Sequence, residues 1–311
     1  MAWTTSDIPD LSGRTAVVTG ANGGLGLETA RALAGHRAHV VMAVRNVEKA
    51  EAARDDIKQS HPEASLEVVA LDLGSQDSVR SAAATMRAAH PRIDILVNNA
   101  GVMAMPEGRT VDGFETQLGI NHFGHWTLTA GLMPSILATE AARVVTVTST
   151  AHHMGSPIDP DDLAMERGYS AWDAYGRSKL ANYLFGLGLQ REFAMRAASA
   201  QSLIAHPGLS NTDLQVQTVV HGGGGRGAPL AAWLSAKTGM SAGRGSLPQL
   251  RAATDPQAKG GEFYGPRFVN NGRAVRLPVL RRHNDRDIAS LWGVSEKATG
   301  VRLFSDDGDA A

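Results

Sequence analysis

The stretch Thr19-Gly20-Ala21-Asn22-Gly23-Gly24-Leu25-Gly26 constrains the fold of this chain more than any other. Ahead of it stand Arg14-Thr15-Ala16-Val17-Val18, short, β-branched and apolar, which read as a buried strand. Behind it, residues 27–34 read as a helix. A strand that turns through glycines into a helix aims several backbone N–H groups, and the positive end of the helix dipole, at one point. An anion is favoured there, and a pyrophosphate is the natural occupant. Glycine permits the positive φ and the close approach of ligand to backbone that such a turn needs. The spacing of Gly20, Gly24 and Gly26 is T-G-x-x-x-G-x-G, not the more common G-x-G-x-x-G. The plainer reading of the same residues is a tight turn with close helix–strand packing.

Downstream, strand and helix patterns alternate. Strands are expected at residues 38–43, 66–71, 93–97, 143–148 and 202–205, with helices at 47–59 and 75–90 between the early ones. This alternation predicts an α/β fold with a doubly wound parallel sheet of the Rossmann type, in one domain spanning residues 1–311. Each strand then delivers its following loop to the same edge, where ligands bind. With 311 residues and 43% hydrophobic content the chain can bury a sizeable core. Its 30 basic and 31 acidic residues give a net charge of −1 with no basic stripe, which argues against a nucleic-acid partner. The absence of cysteine excludes disulfides, thiolate zinc sites and thiol nucleophiles. No apolar run is long enough for a membrane anchor, and a soluble, cytoplasmic chain is expected.

Several loop residues carry chemistry. A dinucleotide fold that prefers NAD places an acid about twenty residues beyond the glycine loop, to bind the ribose 2′-hydroxyl. Here none lies between Glu28 and Glu48, and Arg45 stands at the end of the second strand. Its planar fork suits a 2′-phosphate, so NADP is the expected cofactor and NAD the alternative; Arg45 could equally be a solvated cation at a helix start. Asp72, followed by Leu73, ends the third strand as either a cofactor contact or a helix cap. Asn98-Asn99-Ala100-Gly101 ends the fourth. Residues 111–137 read as one long helix with Phe114, Leu118, Asn121 and Leu128 near one face, so Asn121 needs polar partners. Ser149 follows the fifth strand, and a helix starting near Ala174 carries Tyr175, Ser178 and Lys179. Tyr175 and Lys179 are four apart and share a face. A free phenol, with a pKa of about 10, is a poor acid–base at neutral pH. A neighbouring ammonium favours the phenolate, so Lys179 is expected to lower the Tyr175 pKa. The adjacent His152 and His153 have no partners at zinc-type spacing, and no metal is expected.

Taken together, T-G-x-x-x-G-x-G, N-N-A-G, Asn121, Ser149 and Tyr175-x-x-x-Lys179 resemble the short-chain dehydrogenase/reductase family over residues 13–212. Ser149-Thr150-Ala151-His152-His153, Ser178-Lys179-Leu180-Ala181-Asn182 and the segment from Leu291 to Gly300 are similar to its retinol-dehydrogenase-like branch. The resemblance implies hydride transfer between a nicotinamide cofactor and an alcohol or its carbonyl partner. It makes Tyr175 the acid–base, with Lys179 lowering its pKa and holding the ribose. Ser149 orients the substrate oxygen, while Asn121 kinks its helix and holds a water in a proton relay. It further implies cofactor contacts from Gly20, Asn22, Gly24, Leu25, Gly26, Asp72, Leu73, Asn99, Ala100, Gly101, Tyr175 and Lys179. The turn Pro207-Gly208, with Thr212, matches the family's loop around the nicotinamide amide.

Residues 213–245 hold a glycine run, then Pro229 to Leu234, and are expected to form a substrate lid; residues 305–311 are expected to be a loose tail. Val216, Val219, Val220, Trp233 and Leu234 in that lid imply an apolar substrate. Members of the family often assemble as dimers or tetramers, so a homo-oligomer is expected without being fixed. The rival from another class is a dinucleotide-binding sensor or scaffold with an idle site.

Overall fold

The structure is a computed structural model that describes residues 2–210, 239–280 and 284–304. Strands β1 (Thr15–Thr19), β2 (His39–Val44), β3 (Ser65–Ala70), β4 (Ile95–Asn98), β5 (Arg143–Val147), β6 (Gln201–Ala205), β7 (Phe263–Pro266) and β8 (Ala274–Leu277) form one sheet. Its order is β3-β2-β1-β4-β5-β6-β7-β8. The pairs from β3 through β7 are parallel, and β8 alone runs antiparallel, against β7. This is the Rossmann-type arrangement that the alternation predicts. The sequence reading misses β8, however, whose Ala-Val-Arg-Leu is too short and mixed to announce a strand.

Side chains alternate strictly across the sheet, as the two-residue period of a strand requires. Val17, Val41, Leu96 and Val144 enter one core layer. Ala16, Val18, Val40, Val97 and Val145 enter the other. Both faces are covered, which is why the central strands are almost uninterrupted runs of valine and leucine. The first layer is closed by α3 (Gln76–Ala89), α5 (Gly124–Leu137) and α6 (Ala171–Met195). The second is closed by α1 (Gly24–Gly35) and α2 (Val47–Ser60), together with α8 (Leu247–Thr254), which follows the short turn α7 (Ala242–Gly245). The last helix, α9 (Asn284–Thr299), packs on α6 so closely that a Cβ on Gly188 would lie 2.3 Å from the Trp292 ring.

The expected long helix at residues 111–137 begins later. Residues 110–114 make a turn, with Gly113 at φ +86° and Thr110 N–H donating to the Phe114 carbonyl at 2.9 Å. The helix starts with the short turn α4 (Thr116–Leu118), passes through a π segment at Gly119–Phe123 and continues as α5. Its cap is Glu115, fully buried, whose two carboxylate oxygens accept from the Gln117 and Leu118 amides at 2.8 and 2.7 Å. Burial raises the Glu115 pKa while those two amides oppose the rise. Other boundaries match the reading within a residue or so, apart from α1, which starts three residues early at Gly24, α6, which starts three residues early at Ala171 behind its Ser170 cap, and β4, which starts at Ile95.

Most of the lid expected at residues 213–245, including all five apolar residues assigned to it, lies outside the described residues, as does the tail at 305–311. The returning end is described. Ser210 bridges Met240, and a Cβ on Gly245 would lie 2.8 Å from a Leu25 methyl, so α7 sits against the first turn of α1.

Removing the Glu115 carboxylate strands two amides at a helix start, and caps are worth about 0.5–2 kcal/mol. We expect Glu115→Ala to lower stability in urea unfolding by roughly that amount. Glu115→Gln, which keeps a carbonyl acceptor, should cost less.

Candidate active site

Helices α2, α3 and α6 are capped by side chains, with Asn46, Ser75 and Ser170 accepting from amides in the first turn. Helix α1 is not. Its N-cap is Gly23, with no side-chain cap, although the first turn of any helix leaves N–H groups without intrahelical partners. Gly20 and Gly24 adopt φ +68° and +51°, and a Cβ on Gly26 would lie 2.2 Å from the Gly20 carbonyl oxygen. The glycines thus serve both readings: Gly26 is packing, while Gly20 and Gly24 shape a loop that leaves the helix end open to an anion. The residues present fit a dinucleotide, since the uncapped end stands at the switch between β1 and β4, where neighbouring crossovers diverge. Asn22 and Leu25 are half-buried there.

The other expected cofactor contacts separate by what holds them. Asn99 Nδ2 donates to the Thr19 carbonyl at 2.8 Å, and its Oδ1 accepts from Gln249 Nε2 at 3.1 Å. A Cβ on Gly101 would lie 2.9 Å from Asn121 Oδ1 and 3.4 Å from Lys179 Nζ, so this glycine lets the strand end approach both side chains. Asp72 does not cap α3, because Ser75 does; instead its Oδ1 accepts from the Gly74 amide at 2.9 Å. Leu73 buries its side chain in the core. Arg45 is exposed just beyond β2 and makes no ion pair among the described residues. Gly208 takes φ +68°, with a would-be Cβ 2.6 Å from the Asn270 carbonyl, and Pro207 accepts from Ser210 Oγ at 2.9 Å. Thr212 lies outside the described residues.

The π segment brings Asn121 into the interior with no exposed surface. Its Nδ2 donates to the Val102 carbonyl and to Ser178 Oγ, both at 2.9 Å, and its Oδ1 accepts from the Val102 amide at 2.8 Å. Ser178 in turn donates to the Tyr175 carbonyl at 2.8 Å. The side chain is therefore fully occupied, and the kink in this helix takes the form of a π turn. Lys179, 5% exposed, points its Nζ at the Val147 carbonyl at 3.4 Å and stands 5.8 Å from the centroid of the Tyr175 ring. Asn121, Ser149, Tyr175 and Lys179 thus come together from three separate elements at one edge of the sheet.

The electrostatics differ from the sequence expectation. Burial raises the Tyr175 pKa, and a side-chain hydrogen bond with Ser149 is what works against the rise. Lys179 Nζ stands over the Tyr175 ring, 5.8 Å from its centroid, and its own charge is costly there, since burial pulls its pKa down to about 8.

Sequence reasoning also missed His125, one helical turn beyond Asn121 and 2% exposed. Its Nδ1 lies 3.0 Å from the Asn121 main-chain carbonyl, and its Nε2 lies 2.9 Å from Thr19 Oγ1. A carbonyl only accepts, so Nδ1 carries the proton and Nε2 takes the threonine hydroxyl's. Burial drives the His125 pKa down to about 4, which keeps the ring neutral. Thr19 Oγ1 accepts from the Asn99 and Ala100 amides, each at 2.9 Å. The signal was the i, i+4 spacing of Asn121 and His125, which places both on one side of a helix. By contrast, His152 and His153 sit in a 3-10 turn with ring centroids 3.9 Å apart and tilted by 36°, and the buried His152 stacks on Tyr183 at 4.5 Å.

The profile of the short chain dehydrogenase family matches residues 14–161. Retinol dehydrogenase 12 of Homo sapiens is 43% identical over 294 residues, covering 94% of this chain and 88% of that protein. The chain belongs to the short-chain dehydrogenase family. Retinol dehydrogenase 13 of Homo sapiens is 35% identical over 95% of this chain and 87% of its own length, which places the chain in the retinol-dehydrogenase-like branch. Among solved structures, an uncharacterized protein from Mycobacterium Paratuberculosis superimposes with a TM-score of 0.78 at 39% identity, over 98% of this chain and 100% of that one. An NAD(P) dependent gluconate 5-dehydrogenase from Beutenbergia cavernae with bound NADP does so with a TM-score of 0.61 at 27% identity, over 79% and 91%. As a short-chain dehydrogenase, the protein is an NAD(P)-dependent oxidoreductase that interconverts an alcohol and its aldehyde or ketone. No helix among the described residues is long and apolar enough to cross a membrane.

His125→Ala would leave the Thr19 hydroxyl and the Asn121 carbonyl without their partner in a dry interior, where an unmet group costs about 1–3 kcal/mol. We expect a drop in urea stability of that order together with weaker dinucleotide binding. His125→Gln should recover part of both.

Proposed function

We propose that the protein reduces apolar aldehydes or ketones, and oxidises the corresponding alcohols, with NADP as preferred cofactor. The observation that carries this reading is the convergence of the buried Asn121, Tyr175 and Lys179 with the half-buried Ser149 beside an uncapped helix end. Tyr175 gives or takes the proton at the substrate oxygen, and Ser149 holds that oxygen against the phenol. Lys179 and the Asn99–Gly101 turn hold the nicotinamide half of the cofactor. The open end of α1, with Gly20, Asn22, Gly24, Leu25 and Gly26, holds the pyrophosphate. Asp72, Leu73, Pro207, Gly208 and Thr212 complete the cofactor bed. When bound, the dinucleotide supplies the hydride acceptor or donor; the protein supplies position and charge. The Asn121 carbonyl keeps a second lone pair beyond its bond to His125, and that lone pair supports a water in the relay.

A raised Tyr175 pKa suits reduction, in which the phenol acts as an acid. Arg45 supports the NADP preference, because it stands exposed at the carboxyl end of β2 and no acid lies between Glu28 and Glu48 to receive a 2′-hydroxyl. Support for an apolar substrate comes from Trp172, which is 44% exposed with its ring edge-on to Tyr175 at 6.0 Å, and from the exposed Met154. The relatives named retinol dehydrogenases agree with it. Residues 213–245 would then close over this apolar rim as the lid of a single domain.

A positioned general acid is worth about 10²–10⁴ in rate, so Tyr175→Phe should lower turnover by that range with NADPH binding intact. Unchanged turnover would overturn the assignment. A charged hydrogen bond contributes about 1.5–3 kcal/mol, so Arg45→Ala should weaken NADPH binding roughly ten- to a hundredfold and leave NADH unaffected. The pH dependence follows from Lys179. With its pKa near 8 in the free enzyme, the ammonium is present below that pH and lost above it. The kcat/KM for carbonyl reduction should therefore hold steady through neutral pH and fall as pH rises past about 8, a limb that Lys179→Arg should remove.

A further inference from the structure

We infer that the outer edge of the sheet carries a divalent transition-metal site made by His39, Glu67 and His90. His39 opens β2, Glu67 is in β3, the edge strand, and His90 is the residue that ends α3. In the β2–β3 register His39 pairs with Ser65, so Glu67, two residues on, has its side chain on the same face, where α3 packs. Both imidazoles converge on one carboxylate oxygen: Glu67 Oε2 is 2.8 Å from His90 Nε2 and 3.4 Å from His39 Nε2. One ligand atom from each residue lies within 4.8 Å of the others.

Zinc bonds to imidazole nitrogen and carboxylate oxygen are about 2.0–2.2 Å, which puts tetrahedral ligand atoms about 3.3–3.5 Å apart. The His39–Glu67 pair already has that separation, and the His90–Glu67 pair needs to open by about half an ångström. An outer contact orients the first ring, since Ser65 Oγ lies 2.7 Å from His39 Nδ1. Metal-bound histidines commonly donate their second N–H to such a partner. Both rings stay neutral: each proton moves from Nε2 to Nδ1 as the nitrogen lone pair takes the metal, so charge and protons balance. The side chains are 30%, 34% and 14% exposed for His39, Glu67 and His90, which leaves a solvent-facing position for water as the fourth ligand. Two imidazoles and a carboxylate favour zinc, nickel, cobalt or copper over magnesium or calcium.

The trio is poised without metal, as two N–H donors already share the carboxylate, and binding would draw the two imidazole nitrogens, now within 4.8 Å, to tetrahedral separation. It joins β2, β3 and α3 at the edge where the sheet is least covered. The site lies at the amino end of β2, about 17 Å along the strand from the carboxyl edge that holds the catalytic cluster. Its effect is therefore on stability and not on hydride transfer. The ligands are 28 and 23 residues apart in the chain, which hides them from any reading based on zinc-type spacing.

The test is isothermal titration of the untagged, chelator-treated chain with zinc chloride, alongside its melting temperature with zinc and with magnesium. One zinc per chain is expected, with a melting temperature raised by several degrees by zinc and unmoved by magnesium. Glu67→Gln and His90→Gln, which keep the shape and hydrogen-bonding capacity of the cluster, should each weaken zinc binding at least tenfold and abolish the rise. Carbonyl reduction by both variants should match the parent, which shows that they are folded. Absence of uptake by the parent, or equal uptake by both variants, would overturn the assignment.

Discussion

One hydroxyl group holds the working edge of this protein together. Thr19 Oγ1 accepts from the Asn99 and Ala100 amides and lies within donating distance of His125 Nε2. The end of β1, where the glycine loop begins, is thereby fixed to the end of β4 and to the helix that carries Asn121. Thr19 and His125 are buried, so their polar groups must be paired inside the protein, and these bonds tie the three segments together. His125 continues the chain to the Asn121 carbonyl. Its neutrality follows from burial, so the linkage does not change charge at physiological pH.

The cluster of Asn121, Ser149, Tyr175 and Lys179 is built on the opposite logic. Tyr175 and Lys179 are titratable groups taken into the interior, and burial shifts each toward its neutral form. Their four-residue spacing puts them on one face of α6, with the lysine Nζ 5.8 Å from the centroid of the phenol ring. The hydrogen bond with Ser149 is the contact that works against the rise of the phenol's pKa.

Helix α5 shows why a polar residue in an apolar stripe was informative. Asn121 could have been a core residue that ties backbone together, and it is one: all of its side-chain polar atoms bond within the protein. The π turn on which it sits frees its carbonyl to face His125. π turns inside helices occur frequently at functional sites, and this one follows directly on the turn that Glu115 caps from the interior.

The sequence by itself determined the strand-and-helix alternation, the glycine loop and the identities of Asn121, Ser149, Tyr175 and Lys179. These features depend on local spacing: a two-residue or 3.6-residue period, a glycine where φ must be positive, a pair of residues one turn apart. The tertiary structure decided the rest. That α1 lacks a cap is meaningful only beside its capped neighbours, and that Gly101 must be glycine depends on Asn121 and Lys179 arriving from distant elements. The antiparallel strand β8, the role of His125 and the gathering of His39, Glu67 and His90 all rest on contacts across long stretches of chain. So do the directions in which burial moves the pKa values of Tyr175 and Lys179, because desolvation is a property of the packed interior and has no counterpart in residue spacing.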